Sequence, residues 1–250
     1  MSVALCFATY TRCQVWKNSE TLWSNVIENY PLTPVAYNNR GVKLLERGAL
    51  EIALADLNKA IALDPAYFEA YNNRGNYYGK KNRYDLEIAE YTKAVILSPE
   101  YVTRYFNRGL AYVNNKQPEL ALLDYEKVQQ SDPNNPKLYY SKAIAYKNSG
   151  NDSLAIINYN QSIALNPQYD EAYNNRGNIY FHKQQYQQAI NDYNSALNIN
   201  PNNANAHFNR SASFYNLEKY SETLADALKA KEMGYQVDEV YLNILYSMTN

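Results

Sequence analysis

The sequence has few of the residues that carry catalytic chemistry or cross-links. Its 250 residues include two cysteines and two histidines, and these are not arranged with the spacing of a metal site. Cys6 and Cys13 would lie about 10 Å apart on a helix, which is too far for a disulfide bond. No glycine-rich loop follows a strand pattern, and no nucleophile–base pair is suggested. The sequence therefore predicts no enzyme activity, no cofactor and no metal.

An excess of charge and a long apolar run are also missing. The net charge is −1 and the isoelectric point is near 6.2, so nucleic acid and anionic membranes are not predicted partners. The longest apolar stretch, Val3–Ala8, is far shorter than the ~20 residues that span a bilayer, and it lacks the features of a signal peptide. As given, the sequence is predicted to be soluble. The cytoplasm is the default compartment, and the periplasmic or lumenal face of a membrane is the alternative.

What the sequence does contain is a repeat of 34 residues. Six prolines stand at that interval: Pro31, Pro65, Pro99, Pro133, Pro167 and Pro201. A second column holds glycine or another small residue: Gly41, Gly75, Gly109, Ala143, Gly177 and Ser211. Tyrosines and alanines recur with the same step. Because repetition at such a period is the signature of a stacked array, it decides the predicted fold.

The columns predict two helices in each repeat. Bulky residues in Tyr71–Tyr78 follow the i, i+4, i+7 spacing of one apolar helix face. The glycine column lacks a Cβ, and the alanine columns are small, so a second helix can approach closely. The proline ends each unit because it cannot continue a helix.

These columns resemble tetratricopeptide repeats over nearly the whole chain. The resemblance implies an all-α fold, an antiparallel helix-pair solenoid wound as a right-handed superhelix with a concave inner face. Six repeats are expected, at residues 34–67, 68–101, 102–135, 136–169, 170–203 and 204–235. Glu87 departs from the pattern because it stands where a small residue is expected, and Ile88 is predicted to turn inward instead.

The two ends of the array differ from the repeats. Residues 1–33 are expected to form a degenerate N-terminal repeat or half-repeat, with Trp16 and Trp23 in ring columns. Residues 236–250 are expected to form a C-terminal capping helix, since a terminal repeat needs a cap. Its predicted apolar face consists of Val237, Val240, Tyr241, Ile244, Leu245 and Met248.

Part of the N-terminal segment carries a second resemblance. Residues 9–23 resemble the junction at which membrane-anchored O-mannosyltransferase-like proteins join a last membrane helix to a repeat tail. The resemblance implies a longer membrane protein, and a membrane would be involved only through an N-terminal segment missing from this sequence.

An arginine column and an acidic column 16 residues later run through the repeats. One interpretation is a basic stripe for phosphate or an acidic peptide. The favoured interpretation is a set of structural ion pairs, because the repeat with Lys142 is also the one whose acid has become Asn158. The predicted pairs are Arg40 with Asp56, Arg74 with Glu90, Arg108 with Asp124, Arg176 with Asp192 and Arg210 with Asp226.

An asparagine column precedes each arginine, and it is the main candidate for a binding site. It comprises Asn39, Asn73, Asn107, Asn175 and Asn209. An amide can pair with the N–H and the C=O of any extended peptide, and the column resembles the asparagine ladder in the repeat arm of O-GlcNAc transferase. The alternative is that these asparagines serve only repeat packing. The surrounding groove is predicted to contain Asn72, Asn76, Phe106, Tyr140, Asn174, Asn178, Phe181, Phe208 and Tyr215.

The other residues weighed as site candidates are given lesser roles. His207 stands in an aromatic packing column and is predicted to replace a ring, whereas His182 is expected to face the groove alone. A clamp for a C-terminal carboxylate is not predicted, because lysine is missing before each ladder asparagine.

Two functions follow from this sequence. The first is a scaffold for protein–protein interaction that binds an extended peptide or a helix in the concave groove without catalysis. The alternative is the substrate-recruiting tail of a membrane-bound glycosyltransferase-like enzyme. In both cases the partner is a protein or peptide whose identity the sequence does not give.

Overall fold

The computed structural model describes residues 19–249, and every structural statement below refers to them. Cys6, Cys13, Trp16 and most of the predicted N-terminal junction lie outside the described residues. Within this range the chain contains fourteen helices and no strand. In chain order these are α1 (Ser19–Asn29), α2 (Pro34–Arg47), α3 (Leu50–Leu63), α4 (Phe68–Lys80), α5 (Tyr84–Leu97), α6 (Val102–Asn114), α7 (Pro118–Ser131), α8 (Pro136–Asn148), α9 (Asp152–Leu165), α10 (Asp170–His182), α11 (Tyr186–Ile199), α12 (Ala204–Asn216), α13 (Tyr220–Glu232) and α14 (Glu239–Thr249).

The helices form pairs whose first members begin 34 residues apart, at residues 34, 68, 102, 136, 170 and 204. Within each pair the two helices pack against each other along their length, as α2 does with α3 and α10 with α11. The predicted all-α architecture of repeated helix pairs is confirmed.

The chain divides into two compact units at the boundary between Ser131 and Asp132. Unit 1 contains α1 to α7, and unit 2 contains α8 to α14. In unit 1 the first helices α2 and α4 also contact each other, and in unit 2 the first helices α10 and α12 do so. Successive first helices therefore lie side by side and share one surface within each unit.

The glycine column lets the rings of the second helices pack against the first helices. A Cβ atom added to Gly75 would lie 2.7 Å from Cε1 of Tyr91, and one added to Gly177 would lie 2.8 Å from Cε1 of Tyr193. Both rings are almost fully buried, at 3% and 1% exposure. Close approach of helix to helix thus depends on the small residue facing the ring.

The turn within each repeat takes a left-handed backbone conformation. Six residues at 34-residue spacing have φ between 56° and 83°: Gly48, Asn82, Lys116, Gly150, Gln184 and Glu218. Glycine adopts this conformation without strain, whereas a side chain disfavours it. The turn is therefore fixed by the packing of the helices even where the sequence has no glycine.

The C-terminal helix α14 packs on α13 with only part of the apolar face that the sequence predicts. The predicted residues Val237 and Leu245 are buried in a core cluster with Ala227 and Ala230, and Tyr241 packs against it. Leu242, which was not in the predicted face, is buried in the same cluster at 2% exposure. The other predicted members were placed wrongly, because α14 is apolar on two adjacent stripes. Those members, which are exposed, are Val240, Ile244 and Met248.

Glu87 itself fills the small-residue position of α5. It is 8% exposed, whereas Ile88 is only half-buried, so the predicted inward turn of Ile88 was wrong. Room for the larger side chain comes from Gly79 on α4, since a Cβ there would lie 2.6 Å from Oε1 of Glu87.

Candidate functional site

The ladder asparagines are linked from repeat to repeat by hydrogen bonds. In unit 1, Nδ2 of Asn73 donates to Oδ1 of Asn38 at 2.8 Å, and Nδ2 of Asn107 donates to Oδ1 of Asn72 at 3.4 Å. Asn38 in turn donates to Oδ1 of Asn39 at 3.1 Å. Both repeat-to-repeat bonds join residues that are 35 apart in the sequence. Asn73, for example, contacts Asn38, which directly precedes the ladder residue Asn39 of the previous repeat.

Unit 2 repeats the arrangement with its own residues. Nδ2 of Asn175 donates to the hydroxyl of Tyr140 at 2.9 Å. Nδ2 of Asn209 lies 3.3 Å from Oδ1 of Asn174 and 3.0 Å from Oδ1 of Asn178. We call these two surfaces the amide faces: Asn38, Asn39, Asn72, Asn73, Asn76 and Asn107 in unit 1, and Asn174, Asn175, Asn178 and Asn209 in unit 2.

These bonds show that the ladder contributes to repeat packing, and they leave it capable of binding. A carboxamide has two N–H groups and an oxygen with two lone pairs. An asparagine that gives one N–H to the neighbouring repeat still has polar groups for a ligand. The ladder residues are half-buried, so they are both fixed in position and accessible. The fourth ladder position, Ser141, is buried at 5% exposure.

Asn76 and Asn178 hold buried tyrosines. The hydroxyl of Tyr91 donates to Oδ1 of Asn76 at 2.6 Å, and that of Tyr193 donates to Oδ1 of Asn178 at 2.8 Å. Burial raises the pKa of both tyrosines far above the ordinary value. Both hydroxyls are thus fixed as neutral donors, and they orient the amides on the two faces.

The predicted aromatic anchors are mostly engaged inside the protein. Phe208 stacks on Tyr235 with ring centroids 4.3 Å apart, and Tyr140 stacks on Tyr169 at 4.8 Å. Phe106 packs against Tyr125 at 5.8 Å. Tyr215 is 38% exposed, and Phe181 is half-buried at the edge of a cavity. The latter two retain the most freedom to contact a ligand.

Each unit has a cavity beside one of these asparagine–tyrosine pairs, facing the preceding repeat in unit 1 and the following repeat in unit 2. The first, of about 430 Å³, lies between α2, α4 and α5 and is lined by Val42, Leu45, Glu46, Asn73, Asn76, Gly79, Lys80, Glu87 and Tyr91. The second, of about 200 Å³, lies between α10, α11 and α12 and is lined by Asn178, Phe181, His182, Tyr193, Asn209 and Ala212. Sequence reasoning missed both, although Gly79 and Glu87 were visible departures from their columns.

The arginine column braces the helices. Arg40 pairs with Asp56, Arg108 with Asp124, Arg176 with Asp192 and Arg210 with Asp226, with two short N–O contacts in each pair of 2.5–2.8 Å; Arg74 pairs with Glu90 at 2.9 Å. The bond to Asp124 is the main cause that raises the pKa of Arg108. These geometries match the ion-pair interpretation and not a free basic stripe.

Each arginine has a second partner that the sequence did not reveal. It donates to the residue 16 positions earlier, on the second helix of the preceding repeat, as Arg108 does to Thr92 at 3.4 Å and Arg74 to Asn58 at 2.8 Å. The constant separation of 16 residues between each arginine and this partner was visible in the sequence. The partners were not recognised because they vary between serine, threonine and asparagine. Arg40 makes this contact with Ser24 of α1, so the residues before the first full repeat follow the same rule.

The two histidines take different places in the array, and Nδ1 of His207 lies 2.9 Å from Oδ1 of Asp226. Nε2 of His207 lies 3.2 Å from the carbonyl oxygen of Pro201, the contact that the hydroxyl of Tyr139 makes with Pro133 at 2.9 Å. His207 therefore takes the place of a tyrosine in the column. His182 is exposed and lies edge-on to Phe181. Across residues 19–249, no three histidine, cysteine or acidic side chains are grouped as metal ligands would be.

Protein-family profiles match the chain over most of its length. A profile described as TPR repeat matches residues 41–82 and 177–217, and profiles described as tetratricopeptide repeat match 68–101, 102–135, 136–169 and 158–191. Together they cover residues 41–217 without a gap. The chain belongs to the tetratricopeptide repeat family.

Solved structures of tetratricopeptide repeat proteins are similar to it. YrrB, described as a TPR protein with an unusual peptide-binding site, is 25% identical over 74% of this chain and 95% of its own, with a TM-score of 0.61. A tetratricopeptide repeat protein of Parabacteroides merdae is 20% identical over 99% of this chain and 96% of its own, with a TM-score of 0.71. MamA is 23% identical over 68% and 96%, with a TM-score of 0.58.

Two further observations concern the predicted membrane junction. No curated protein matches the chain. Of the fourteen helices in residues 19–249, none has both the length and the hydropathy to cross a bilayer. The resemblance of residues 9–23 to a glycosyltransferase junction thus has no support from the comparisons and stays a hypothesis.

Proposed function

We propose that this tetratricopeptide repeat protein is a scaffold that binds an extended segment of another protein along its amide faces and performs no catalysis itself. The observation that carries the proposal is the row of ladder asparagines, of which Asn73, Asn107, Asn175 and Asn209 are each hydrogen-bonded to the preceding repeat. A row of fixed amides suits peptide backbone, which presents an N–H and a C=O at every residue except proline, which lacks the N–H. Recognition would then depend little on the partner's side chains.

The likeness to YrrB supports this proposal. That protein is described as having a peptide-binding site, and the two chains share 25% identity over nearly all of YrrB. Within each unit the helix-pair repeat also offers a surface formed by first helices, a common arrangement for helix-in-groove and extended-peptide recognition.

A binding selection tests the proposal. A library of random peptides is selected on the purified chain, and the affinity of a selected peptide is compared with that for a variant carrying Asn73→Ala, Asn107→Ala and Asn175→Ala. We expect a loss of about tenfold or more, because each removed amide takes away hydrogen bonds to the ligand.

The control variant removes two asparagines that lie outside the amide faces. Asn134 and Asn202 are exposed in turns, and their substitution by alanine should leave affinity unchanged. Circular dichroism checks that the ladder variant still folds, since its amides also join repeats. Equal affinity of the folded ladder variant and the wild type would refute the proposal.

We also keep the alternative that this chain is the substrate-recruiting tail of a membrane-bound glycosyltransferase-like enzyme. It rests on residues 9–23 alone. In-frame hydrophobic spans encoded upstream of Met1 would support it, and a stop codon immediately upstream would exclude it.

A further inference from the structure

Glu87 differs from its counterparts in every other repeat. The same column holds Ala53, Ala121, Ala155, Ala189 and Thr223, all of them fully buried. Glu87 is 8% exposed, and its Oε2 atom is buried with no hydrogen-bond partner among the described residues. A buried carboxylate is costly unless a cation or a donor compensates it.

Arg74, the column arginine of the same repeat, does not neutralise the charge of Glu87. Arg74 pairs with Glu90 at 2.9 Å and donates to Asn58 on α3. The nearby hydroxyl of Tyr91 donates to Asn76 at 2.6 Å. Burial raises the pKa of Glu87 above its ordinary value, and a hydrogen-bond interaction with Tyr91 offsets only part of this rise, so the carboxyl group has no partner charge.

A second departure from the repeat, Gly79 on the facing helix α4, leaves space beside this carboxylate. Gly79 stands in a column otherwise occupied by Leu45, Val113, Lys147, Phe181 and Tyr215. A Cβ at this position would lie 2.6 Å from Oε1 and 2.9 Å from Cδ of Glu87. Glycine inside a helix is unfavourable. Its presence at position 79 is explained by Glu87, whose carboxylate occupies the space that a side chain at position 79 would need.

The corresponding repeat of unit 2 carries neither departure. There Phe181 stands in place of Gly79, and the fully buried Ala189 stands in place of Glu87. The Asn76–Tyr91 pair has a direct counterpart in Asn178 and Tyr193. The asparagine–tyrosine pair is thus common to both repeats, whereas the buried acidic group is particular to the repeat in unit 1.

The walls of the cavity suit a side chain that is apolar along its stem and positive at its end. Val42 and Leu45 provide apolar surface, and the amides of Asn73 and Asn76 provide acceptors beside Glu87. Lysine and arginine bury an aliphatic stem in this manner. At the rim Glu46 adds a negative charge, itself paired with Lys43 at 2.8 Å, and the exposed Lys80 adds a positive one.

We propose that this cavity, with Glu87 at its base, accepts a lysine or arginine side chain of the bound polypeptide and so gives the amide face of unit 1 a preference for a basic residue. The inference rests on the proposed peptide-binding function. The amides would hold the backbone at many positions, while Glu87 would fix which residue lies over the cavity.

The test uses matched peptides and variants of the full chain. A selected peptide that contains a basic residue is compared with the same peptide carrying norleucine at that place, which keeps the stem and removes the charge. We expect the wild type to bind the basic peptide about tenfold more tightly. Glu87→Gln, which keeps the shape of the side chain, should abolish that difference while still binding the norleucine peptide as the wild type does.

Two further variants make the result decisive. Gly79→Leu combined with Glu87→Ala restores the residue types of the first repeat, fills the cavity and should also remove the preference. Glu119→Gln on the exposed surface of α7 should retain it. Selected peptides without enrichment of basic residues, or a preference that survives Glu87→Gln, would overturn the inference and leave the scaffold function standing. Failure to bind any peptide would overturn both.

Discussion

At the scale of single residues, Glu87 is where this chain departs most from its own repeat. Its pKa is raised by burial, and Tyr91 on α5, Lys80 on α4 and Glu46 on α2 are the titratable groups that line the same cavity. A carboxyl group whose pKa is higher in the folded state contributes fully to stability below its unfolded-state pKa. That contribution is lost as the pH rises through the folded-state pKa.

Glu87→Gln should therefore stabilise the unliganded protein at pH 7. We expect the free energy of unfolding to rise by about 1 kcal/mol, the size usual for a buried polar group without a partner. The difference should shrink towards pH 4, where the carboxyl group of the wild type is protonated. Urea unfolding at both pH values measures it, with Glu119→Gln as the exposed control. A variant less stable than the wild type at pH 7 would show that Glu87 has a partner in the folded chain.

The left-handed turn residues lead to a second prediction at this scale. Lys116 has φ of 59° at a position where two other repeats have glycine. Lys116→Gly should raise the free energy of unfolding by about 1 kcal/mol, because a side chain disfavours this conformation. Gly150→Ala, the reciprocal control, should lower it, since a Cβ there meets nothing within 4 Å and only backbone strain changes. Thermal unfolding measures both, and a destabilised Lys116→Gly variant would contradict the explanation.

At the scale of helices, the arginine column connects neighbouring helices through side-chain contacts. Arg108 lies on α6 and contacts two second helices. It pairs with Asp124 on α7 and donates to Thr92 on α5. The side chains of Arg108 and Asp124 are 15% and 7% exposed, so removing one partner leaves a largely buried charge.

A double-mutant cycle measures this brace. Arg108→Met and Asp124→Leu should each lower the free energy of unfolding by about 3 kcal/mol. The double variant should be closer to the wild type than either single variant, because no unpaired charge is left behind. Strictly additive losses would show that the two residues act independently. The repeat with Lys142 and Asn158 already carries a natural exchange at both positions.

The sequence predicts the helix pairs well because their columns are set by local packing. A proline, a small residue and a ring at constant spacing define where each helix begins, ends and touches its partner. The buried face of α14 was not predictable in this way, since Val240 and Leu242 are equally apolar and only the shape of the last repeat selects Leu242. The cavity at Glu87 was missed for a related reason: it depends on two departures, Gly79 and Glu87, that face each other across two helices.

At the scale of the whole molecule, the chain has two units that each present fixed amides on adjoining first helices. Packing residues recur with the repeat, whereas Gly79 and Glu87, which depart from their columns, both line the cavity of unit 1. This separation is expected of repeat proteins, in which neighbouring units supply stability and the shared surface supplies recognition.

The central claim, that the amide faces hold peptide backbone, is tested most directly by scanning a selected peptide with backbone N-methyl groups. Each N-methyl group removes one N–H donor and keeps the side chain. Fluorescence anisotropy would compare every N-methylated peptide with the matching alanine-substituted peptide. We predict that N-methylation at several positions weakens binding about tenfold or more, while alanine at the same positions changes it little. Tolerance of N-methylation at every position, with affinity governed by side chains alone, would contradict the account.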